Sequence, residues 1–197
     1  MSRATSGAVE APDDDRLLAA FAAGDRSAAA VLTTRLAPVV YKVAMRMLNN
    51  RAEAEDVTQE SLLRLWRMAP SWQPGKAQVS TWLYRVALNL CRDRMRRVRG
   101  GTVDIASIAE PPDDSPSVSD AMLTSSRNAA LQGALATLPE RQRQAVILRH
   151  IEEWPNPDIA AAMDISVEAV ESLTARGKRA LAAALKGRRD ELGFADD

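Results

Sequence analysis

Apolar residues recur at intervals of three and four along most of the chain. Alanine and leucine are abundant, whereas runs of β-branched residues and alternating apolar and polar positions are scarce. This spacing favours amphipathic helices over strands. The pattern predicts an all-α protein with four helices in each half.

Helix-start signals divide the first half into four predicted helices. Three successive aspartates favour the N-terminus of the first helix, and Asn50 with Glu53 forms a capping box at the third. Two prolines and a glycine in 70–77 separate the third helix from the fourth. The first two predicted helices span about 13–23 and Asp25 to Leu48. The third runs from Asn50 to the loop 70–77, and the fourth from about Gln78 to Arg99. The residues predicted to face inward are Val57, Leu62, Leu65, Trp66 and Met68 on the third helix, and Trp82, Val86, Leu90 and Met95 on the fourth.

The second half predicts four further helices, over about 120–136, 139–152, 157–163 and 167–185. Each of the last three has a predicted cap. Thr137 with Glu140 forms a capping box, Asn156 precedes a proline and an aspartate, and Ser166 stands at the start of the last helix.

Residues 100–120 interrupt the helical pattern. They hold three of the ten prolines and five acidic residues, with no Lys or Arg. This composition predicts a flexible, acidic linker between two small helical domains. The preceding residues 85–99 carry six arginines and one aspartate. The formal net charge of zero therefore conceals a net +5 stripe beside a net −5 linker.

Composition excludes several classes of function. A single cysteine, Cys91, excludes a disulfide framework and a cysteine-based zinc site, and a single histidine, His150, excludes most histidine-dependent metal chemistry. We expect no metal and no cofactor. No apolar run approaches the ~20 residues that span a membrane, and the polar N-terminal residues lack a signal-peptide pattern. The expectation is a soluble, cytoplasmic protein.

The stretch from Pro157 to Arg179 has the spacing of a helix-turn-helix. Ala160, Val170 and Leu173 fit its packing positions, and Asp164 fits the turn, where aspartate tolerates left-handed backbone better than most residues. The second helix of such a unit enters the major groove, and its basic end contacts phosphates. An ordinary helical hairpin with a solvated, charged end is the alternative.

Five of the eight aromatic residues lie within 41–84, just before the arginine stripe. Aromatic rings beside arginines suit unstacked, single-stranded bases. Trp66 lies on an apolar stripe and is predicted to be core, whereas Trp72, in the Pro/Gly loop, is the better candidate for contact with a ligand. Trp82 is predicted to be partly core and partly a stacking platform. The alternative is that the tryptophans are core and the arginines form a solvated face.

Two stretches in one order resemble a known family. The sequence AEDVTQESLLRLWRMAPSW followed by STWLYRVALNLCRDRMRR resembles region 2 of sigma-70-type factors. The sequence LPERQRQAVILRHIEEWPNPDIAAAMDISVEAVESLTARGKRAL resembles region 4, although Glu171 and Leu173 stand where many members carry basic residues. With only a linker between the two regions, the chain resembles the extracytoplasmic-function (ECF) subgroup.

The resemblance implies a domain organisation and a set of partners. It implies a tail with a first helix (1–24), region 2 (25–99), the linker (100–120), region 4 (121–186) and a C-terminal tail (187–197). Region 2 of such factors binds the β′ clamp helices of core RNA polymerase and melts the −10 promoter element. Region 4 binds −35 DNA and the β flap. The family also implies control by an anti-sigma factor and a role in stress responses.

The resemblance further implies site residues. The loop 71–79 matches the segment that captures a flipped −10 base, and flipping costs a few kcal/mol of unstacking, so stacking partners are needed. Asp56, Gln59 and Glu60, at i, i+3, i+4 spacing, share one helix face. The candidates for polymerase binding are Asp56, Gln59, Glu60 and Leu63; those for −10 DNA are Trp72, Ser80, Thr81, Trp82, Arg85, Asn89, Arg92 and Arg96; those for −35 DNA are Ser166, Val167, Glu168, Glu171, Ser172, Ala175, Arg176, Lys178 and Arg179.

Two other classes of function remain open at this stage. A sigma-like decoy would bind an anti-sigma factor without activating promoters, but such mimics lack a DNA-competent surface. An enzyme would need a second catalytic group near His150, Glu152 and Glu153, and no motif places one. The leading hypothesis is a promoter-specificity subunit without catalytic chemistry of its own.

Overall fold

The computed structural model describes residues 13–99 and 118–186, with side chains described for 13–97 and 127–186. Within these ranges the regular structure is helical and no strand forms, which confirms the all-α prediction. A 3-10 turn, Ala69–Ser71, follows the third helix, and a π-helical turn, Ile147–Ile151, follows the sixth. The helices are α1 (Asp14–Ala22), α2 (Arg26–Leu48), α3 (Arg51–Met68), α4 (Val79–Arg99), α5 (Val118–Thr137), α6 (Glu140–Val146), α7 (Asn156–Met163) and α8 (Val167–Leu185).

Side-chain caps determine where the helices of the first half begin. Asp13 and Asn50 each accept a hydrogen bond from the backbone N–H three residues on, at 2.7 and 3.1 Å. Asp25 accepts one from the N–H two residues on, at 2.8 Å. Each bond satisfies an N–H that has no partner inside its helix. The predicted starts of the first three helices are confirmed to within one residue.

Two predicted caps in the second half are wrong. Thr137 is the last residue of α5, and its hydroxyl donates back to the carbonyl of Ala134 at 2.7 Å, so it does not cap α6. Asn156 is the first residue of α7, which follows Pro155 without a side-chain cap. In both cases a proline, with its fixed φ, precedes the helix and sets its start. The third prediction is confirmed, because Ser166 accepts a hydrogen bond from the N–H of Ala169 at 3.2 Å.

α2 is the central helix of the first half. By length and composition it is apolar enough to cross a membrane, with a mean hydropathy of 1.3, contrary to the expectation that no such segment exists. It contacts α1, α3 and α4, and its Pro38 lies on the exposed side. This packing assigns α2 to the core of a helical bundle. Its buried residues are Ala28, Leu32, Leu36, Val40, Val43, Ala44 and Met47.

The buried surface of α4 is wider than the predicted stripe. Leu90 and Met95 are buried as predicted, whereas Trp82 and Val86 are only half-buried. The difference arises because α4 packs against α2 and α3 and also against α7 from the second half. Residues that were not predicted therefore complete its buried surface, namely Val79, Leu83, Ala87, Leu88 and Cys91.

The two halves pack directly against each other. Their buried apolar residues form one continuous core. Arg143 of α6 is buried and donates from Nη1 to the carbonyl of Met47 in α2, at 3.0 Å. Gln144, also buried, donates from Nε2 to the carbonyl of Leu88 in α4, at 3.2 Å. The sequence predicts two domains and a linker, and nothing in its pattern indicates this contact.

α8 approaches α6 closely at Gly177. A Cβ atom at this position would lie 2.6 Å from Cγ2 of Val146 and 3.2 Å from the carbonyl oxygen of Gln142. A glycine inside a helix costs about 0.5–1 kcal/mol relative to alanine. The close packing of the two helices explains why the position nevertheless carries glycine.

Replacing Gly177→Ala is expected to destabilise the protein by about 1–3 kcal/mol, because the added methyl overlaps Val146. The free energy of unfolding is measured from urea transitions followed by helical circular dichroism. The matched variant Val146→Ala removes the obstructing methyl groups. The double variant should therefore lose less stability than the two single losses added together, and strict additivity would contradict the proposed contact.

Candidate polymerase and nucleic-acid interfaces

A shallow cavity of about 410 Å³ lies between α3 and α4. Leu63 at its edge is 47% exposed and is, with Val31, one of two large apolar side chains that are exposed in the described part of the chain. All four predicted polymerase-binding residues line this α3–α4 cavity. Its lining is Asp56, Gln59, Glu60, Leu63 and Arg64 from α3, and Leu90, Asp93, Arg94 and Arg97 from α4.

Charges of both signs surround the apolar part of this cavity. Glu60 accepts a hydrogen bond from Nε of Arg64 at 2.8 Å, and this bond lowers the pKa of the Glu60 carboxyl. Arg94 forms an ion pair with Glu53 across the two helices. Two leucines bordered by paired charges resemble the apolar centre and polar rim of a protein–protein interface. The sequence prediction missed Leu90, Arg94 and Arg97, whose i, i+4, i+7 spacing on α4 is the signal that was available.

A second surface lies on α4. Arg85, Asn89, Arg92 and Arg96 follow one another at intervals of four, three and four residues, so they share one face of the helix. We call these four residues the α4 arginine face. Arg85, Asn89 and Arg96 are exposed, whereas Arg92 is half-buried. Arg96 is paired within the helix to Asp93, and Arg85 is paired to Asp164 of the second half at 2.9 Å.

The start of α4 and the loop before it adjoin this face. Ser80, Thr81 and Trp82 are half-buried in the first turn of α4, and residues 73–78 are exposed. Trp72 is half-buried, and its indole N–H donates to Oδ1 of Asp15 at 2.8 Å. Trp72 therefore anchors one end of the loop to α1. Asp15 was not predicted, because its partner lies 57 residues away.

Trp66 behaves as the sequence predicts. Its ring packs against that of Phe21 with the centroids 4.9 Å apart, and it contacts the hydrophobic core. Trp72 and Trp82 are also half-buried and packed against the core, and they differ from Trp66 in lying at the two ends of the exposed loop before α4.

The third surface lies on α8. Asp164 has a φ of 56°, which confirms the left-handed turn predicted for the helix-turn-helix, and Val170 on the inner side of the second helix is buried. Of the nine residues predicted to contact −35 DNA, Val167 is half-buried and the other eight are exposed. Acidic residues lie near the start of α8, and Arg176, Lys178 and Arg179 lie further along it.

Comparison with known protein families matches a segment in each half of the chain. Residues 32–100 match the family described as Sigma-70 region 2, and residues 128–181 match the family described as Sigma-70, region 4. Together the two matches cover most of the chain.

The chain belongs to the sigma-70 family. Its curated relatives include several ECF RNA polymerase sigma factors. It is 33% identical to the ECF RNA polymerase sigma factor SigE of Mycolicibacterium smegmatis, over 88% of this chain and 69% of the relative. It is also 33% identical to SigM of Mycobacterium tuberculosis, over 86% and 83%, and 29% identical to SigW of Bacillus subtilis, over 80% and 89%.

Two solved structures share the fold. CnrH in complex with the cytosolic domain of CnrY superposes with a TM-score of 0.65 and 25% identity, covering 89% of this chain and 99% of that one. The sigma factor RpoE in complex with the anti-sigma factor NepR, from Bartonella quintana, superposes with a TM-score of 0.58 and 25% identity, covering 78% and 94%.

The single cysteine and the single histidine both have shifted pKa values. Cys91 is fully buried, and burial raises the pKa of its thiol to about 12. His150 is largely exposed. The partial loss of water around its ring, and the positive charge of the nearby Lys178, lower its pKa. A buried neutral thiol fits the structural role predicted for Cys91.

The Cys91 thiol is expected to stay unreactive towards Ellman's reagent at pH 8 until the protein unfolds. Because its pKa is higher in the folded state than in the unfolded state, its contribution to stability is complete below about pH 8.5 and falls as the pH rises towards 12. Urea midpoints at pH 8 and pH 11 test this. Cys91→Ala should lose less stability over that interval than the wild type, and equal losses would contradict the burial effect.

Proposed function

We propose that this protein is an ECF sigma factor that binds core RNA polymerase and directs promoter-specific initiation of transcription. One observation carries the proposal. The chain holds region 2 and region 4 in the order of the family, and the residues matching the family's functional positions lie at three surfaces.

The α3–α4 cavity is the proposed docking surface for the β′ clamp helices. Leu63 offers exposed apolar area, and Asp56 and Gln59 are exposed beside it. An apolar anchor surrounded by polar groups is the usual composition of a tightly packed protein contact.

The α4 arginine face and the adjoining loop are the proposed surface for the −10 element. Arginines neutralise the phosphates of the separated strand, and an aromatic ring supplies a stacking face for a base that leaves the duplex. Trp82 lies half-buried in the first turn of α4, at the end of the exposed loop residues 73–78. Asp15 is proposed to hold Trp72 so that this loop keeps its position against α4.

Region 4 is proposed to read the −35 element with α8 and to contact the β flap. The first residues of α8 would reach base edges, whereas Arg176, Lys178 and Arg179 would neutralise phosphates. Glu168 and Glu171 can accept hydrogen bonds from cytosine amino groups, so they are compatible with a reading role.

We propose that the protein has no catalytic activity of its own and acts in the cytoplasm.

Two of its structural relatives were solved in complex with another protein, in one case an anti-sigma factor. On that likeness we propose that an anti-sigma factor also holds the free form of this chain, consistent with a role in stress responses.

Reconstitution with core polymerase tests the proposal and separates the surfaces. The pair Arg92→Ala and Arg96→Ala should lower promoter opening by about tenfold or more, because phosphate contacts are lost, with little change in polymerase binding. Asp56→Ala with Gln59→Ala should weaken polymerase binding instead. Open complexes are measured by permanganate footprinting and polymerase binding by fluorescence anisotropy.

A promoter that already contains an unpaired −10 bubble is the decisive template. It should restore transcription by the arginine variant and not by the Asp56/Gln59 variant. Arg16→Ala with Arg26→Ala, at two exposed arginines that are not among the proposed contact residues, controls for the change in charge. If the protein is a decoy, the wild type gives no promoter-dependent transcript with core polymerase. That result would exclude the proposed function.

The basic residues of α8 make a separate prediction. Lys178→Ala and Arg179→Ala should each reduce the slope of log K against log salt for holoenzyme binding to a promoter by about 0.9, since each removes one phosphate contact. Lys186→Ala, at the end of α8, provides an exposed control. Unchanged slopes in both α8 variants would show that this part of the helix does not contact DNA.

A further inference from the structure

The exposed face near the start of α8 carries side chains with different hydrogen-bonding capacities. Val170 and Gly177 face inward and are buried. Four exposed residues share the outward face at intervals of three, one and three: Glu168, Glu171, Ser172 and Ala175. The first residues of a recognition helix are the ones that contact base edges. The acceptors and donors on this face therefore bear on which bases α8 can bind.

Glu168 is engaged in starting the helix. Its own backbone N–H and the hydroxyl of Ser166 both hydrogen-bond to its carboxylate, and these bonds lower the pKa of the group. The Ser166 oxygen in turn accepts a hydrogen bond from the N–H of Ala169 at 3.2 Å. Such bonds satisfy N–H groups that have no partner within the helix. Part of the accepting capacity of Glu168 is therefore used by the cap.

Glu171 lies one turn further on and is not engaged in this way. Its exposed side chain makes no hydrogen bond or ion pair with any other residue in the described part of the chain. The positions three and four residues away on either side hold no Lys or Arg, so α8 itself offers no cation to pair with it. Glu171 therefore keeps its full accepting capacity for a ligand.

A carboxylate distinguishes bases by the donors that they present, because it can only accept hydrogen bonds. In the major groove, cytosine presents the N4 amino group, which is a donor. Guanine presents two acceptors, and thymine presents one acceptor and a methyl group. Adenine presents a donor beside an acceptor. A carboxylate is therefore attracted to cytosine, repelled by guanine and thymine, and both attracted and repelled by adenine.

The surroundings in the groove sharpen this discrimination. A carboxylate that leaves water costs free energy unless a donor meets it. The nearest cations further along α8 are Arg176, Lys178 and Arg179, which lie about 7–12 Å along the helix axis from Glu171 and are proposed to contact phosphates. They do not replace a donor at the base edge. Glu171 is therefore expected to reject bases without a donor as well as to favour cytosine.

We propose that Glu171 is a specificity-determining residue, which selects a cytosine in the −35 element through the N4 amino group of that base. The inference rests on the proposed function. It assigns Glu168 to the helix cap and not to the reading of a base. The neighbouring Ser172 can donate or accept a hydrogen bond, so it adds little discrimination at its own position.

Selection from a promoter library tests the proposal with holoenzyme. The −35 element is randomised, and the templates that give transcripts are sequenced. Wild type should enrich cytosine at one position by at least about fivefold, the lower end expected for one specific base contact. Glu171→Gln should shift the preference at that position to adenine, and Glu171→Arg should shift it to guanine, because these side chains match the edges of those bases.

A modified base tests the atom that is proposed to be read. N4-methylcytosine at the selected position still pairs with guanine but loses the N–H that points into the major groove. This template should weaken promoter binding by wild-type holoenzyme at least about fivefold. Binding by the Glu171→Ala holoenzyme should be the same with either base, since no carboxylate remains to accept the hydrogen bond.

Two further variants serve as controls. Glu168→Gln should leave the cytosine preference in place, because Glu168 is assigned to the cap. Glu55→Gln removes one negative charge from α3, outside the proposed contact residues. Circular dichroism confirms that every variant is folded, as expected for changes at exposed or half-buried side chains on helix surfaces.

The inference and the proposed function fail in different ways. A wild-type holoenzyme that depends on the −35 sequence but shows no cytosine preference would overturn the inference alone. The same holds if the cytosine preference persists in Glu171→Gln, or if N4-methylcytosine weakens the wild type and Glu171→Ala equally. Failure of the proposed function would appear instead as absent promoter-dependent transcription with every template in the library.

Discussion

The relative position of the two halves depends on the buried guanidinium group of Arg143. It donates to the carbonyl of Met47 near the C-terminal end of α2, and to the carbonyl of Ala136 near the end of α5 at 2.6 Å. Carbonyls at these positions have no partner within their own helices, and the helix dipole makes them electronegative. Burying a cation costs several kcal/mol unless such acceptors meet it. α6, and with it the helix-turn-helix, is therefore held where two helix ends converge.

α4 connects the three interfaces. One side completes the α3–α4 cavity, another carries the arginine face, and a third receives α7. A single helix therefore contributes to the proposed polymerase surface, to the proposed DNA surface and to the contact between the two halves.

Much of this organisation could be predicted from the sequence, because helical periodicity and capping are local signals. The starts of α1 to α3, the left-handed turn at Asp164 and the cap at Ser166 follow from residues within one turn of each feature. The predicted cap at Thr137 failed because its hydroxyl has a competing acceptor one turn back, and the proline that follows sets the helix start.

The features that could not be predicted all join residues distant in sequence. The bond from Trp72 to Asp15, the pair of Arg85 with Asp164, and the insertion of Arg143 beside α2 have no signature at short range. The extra buried residues of α4 belong to the same class, since α4 packs against helices of both halves of the chain. The site residues themselves were found from their spacing and their likeness to the family, and their roles stay predictions.

Gly177 lies on the face of α8 that packs against α6, opposite the face that is proposed to read DNA. The inner face of the helix lies close against α6 because Gly177 has no side chain. Glu171 and Ser172, on the outer face, are exposed. Substitutions on the outer face leave the packing of α6 and α8 unchanged. The chemistry of the proposed reading face can therefore change while the helix keeps its position against α6.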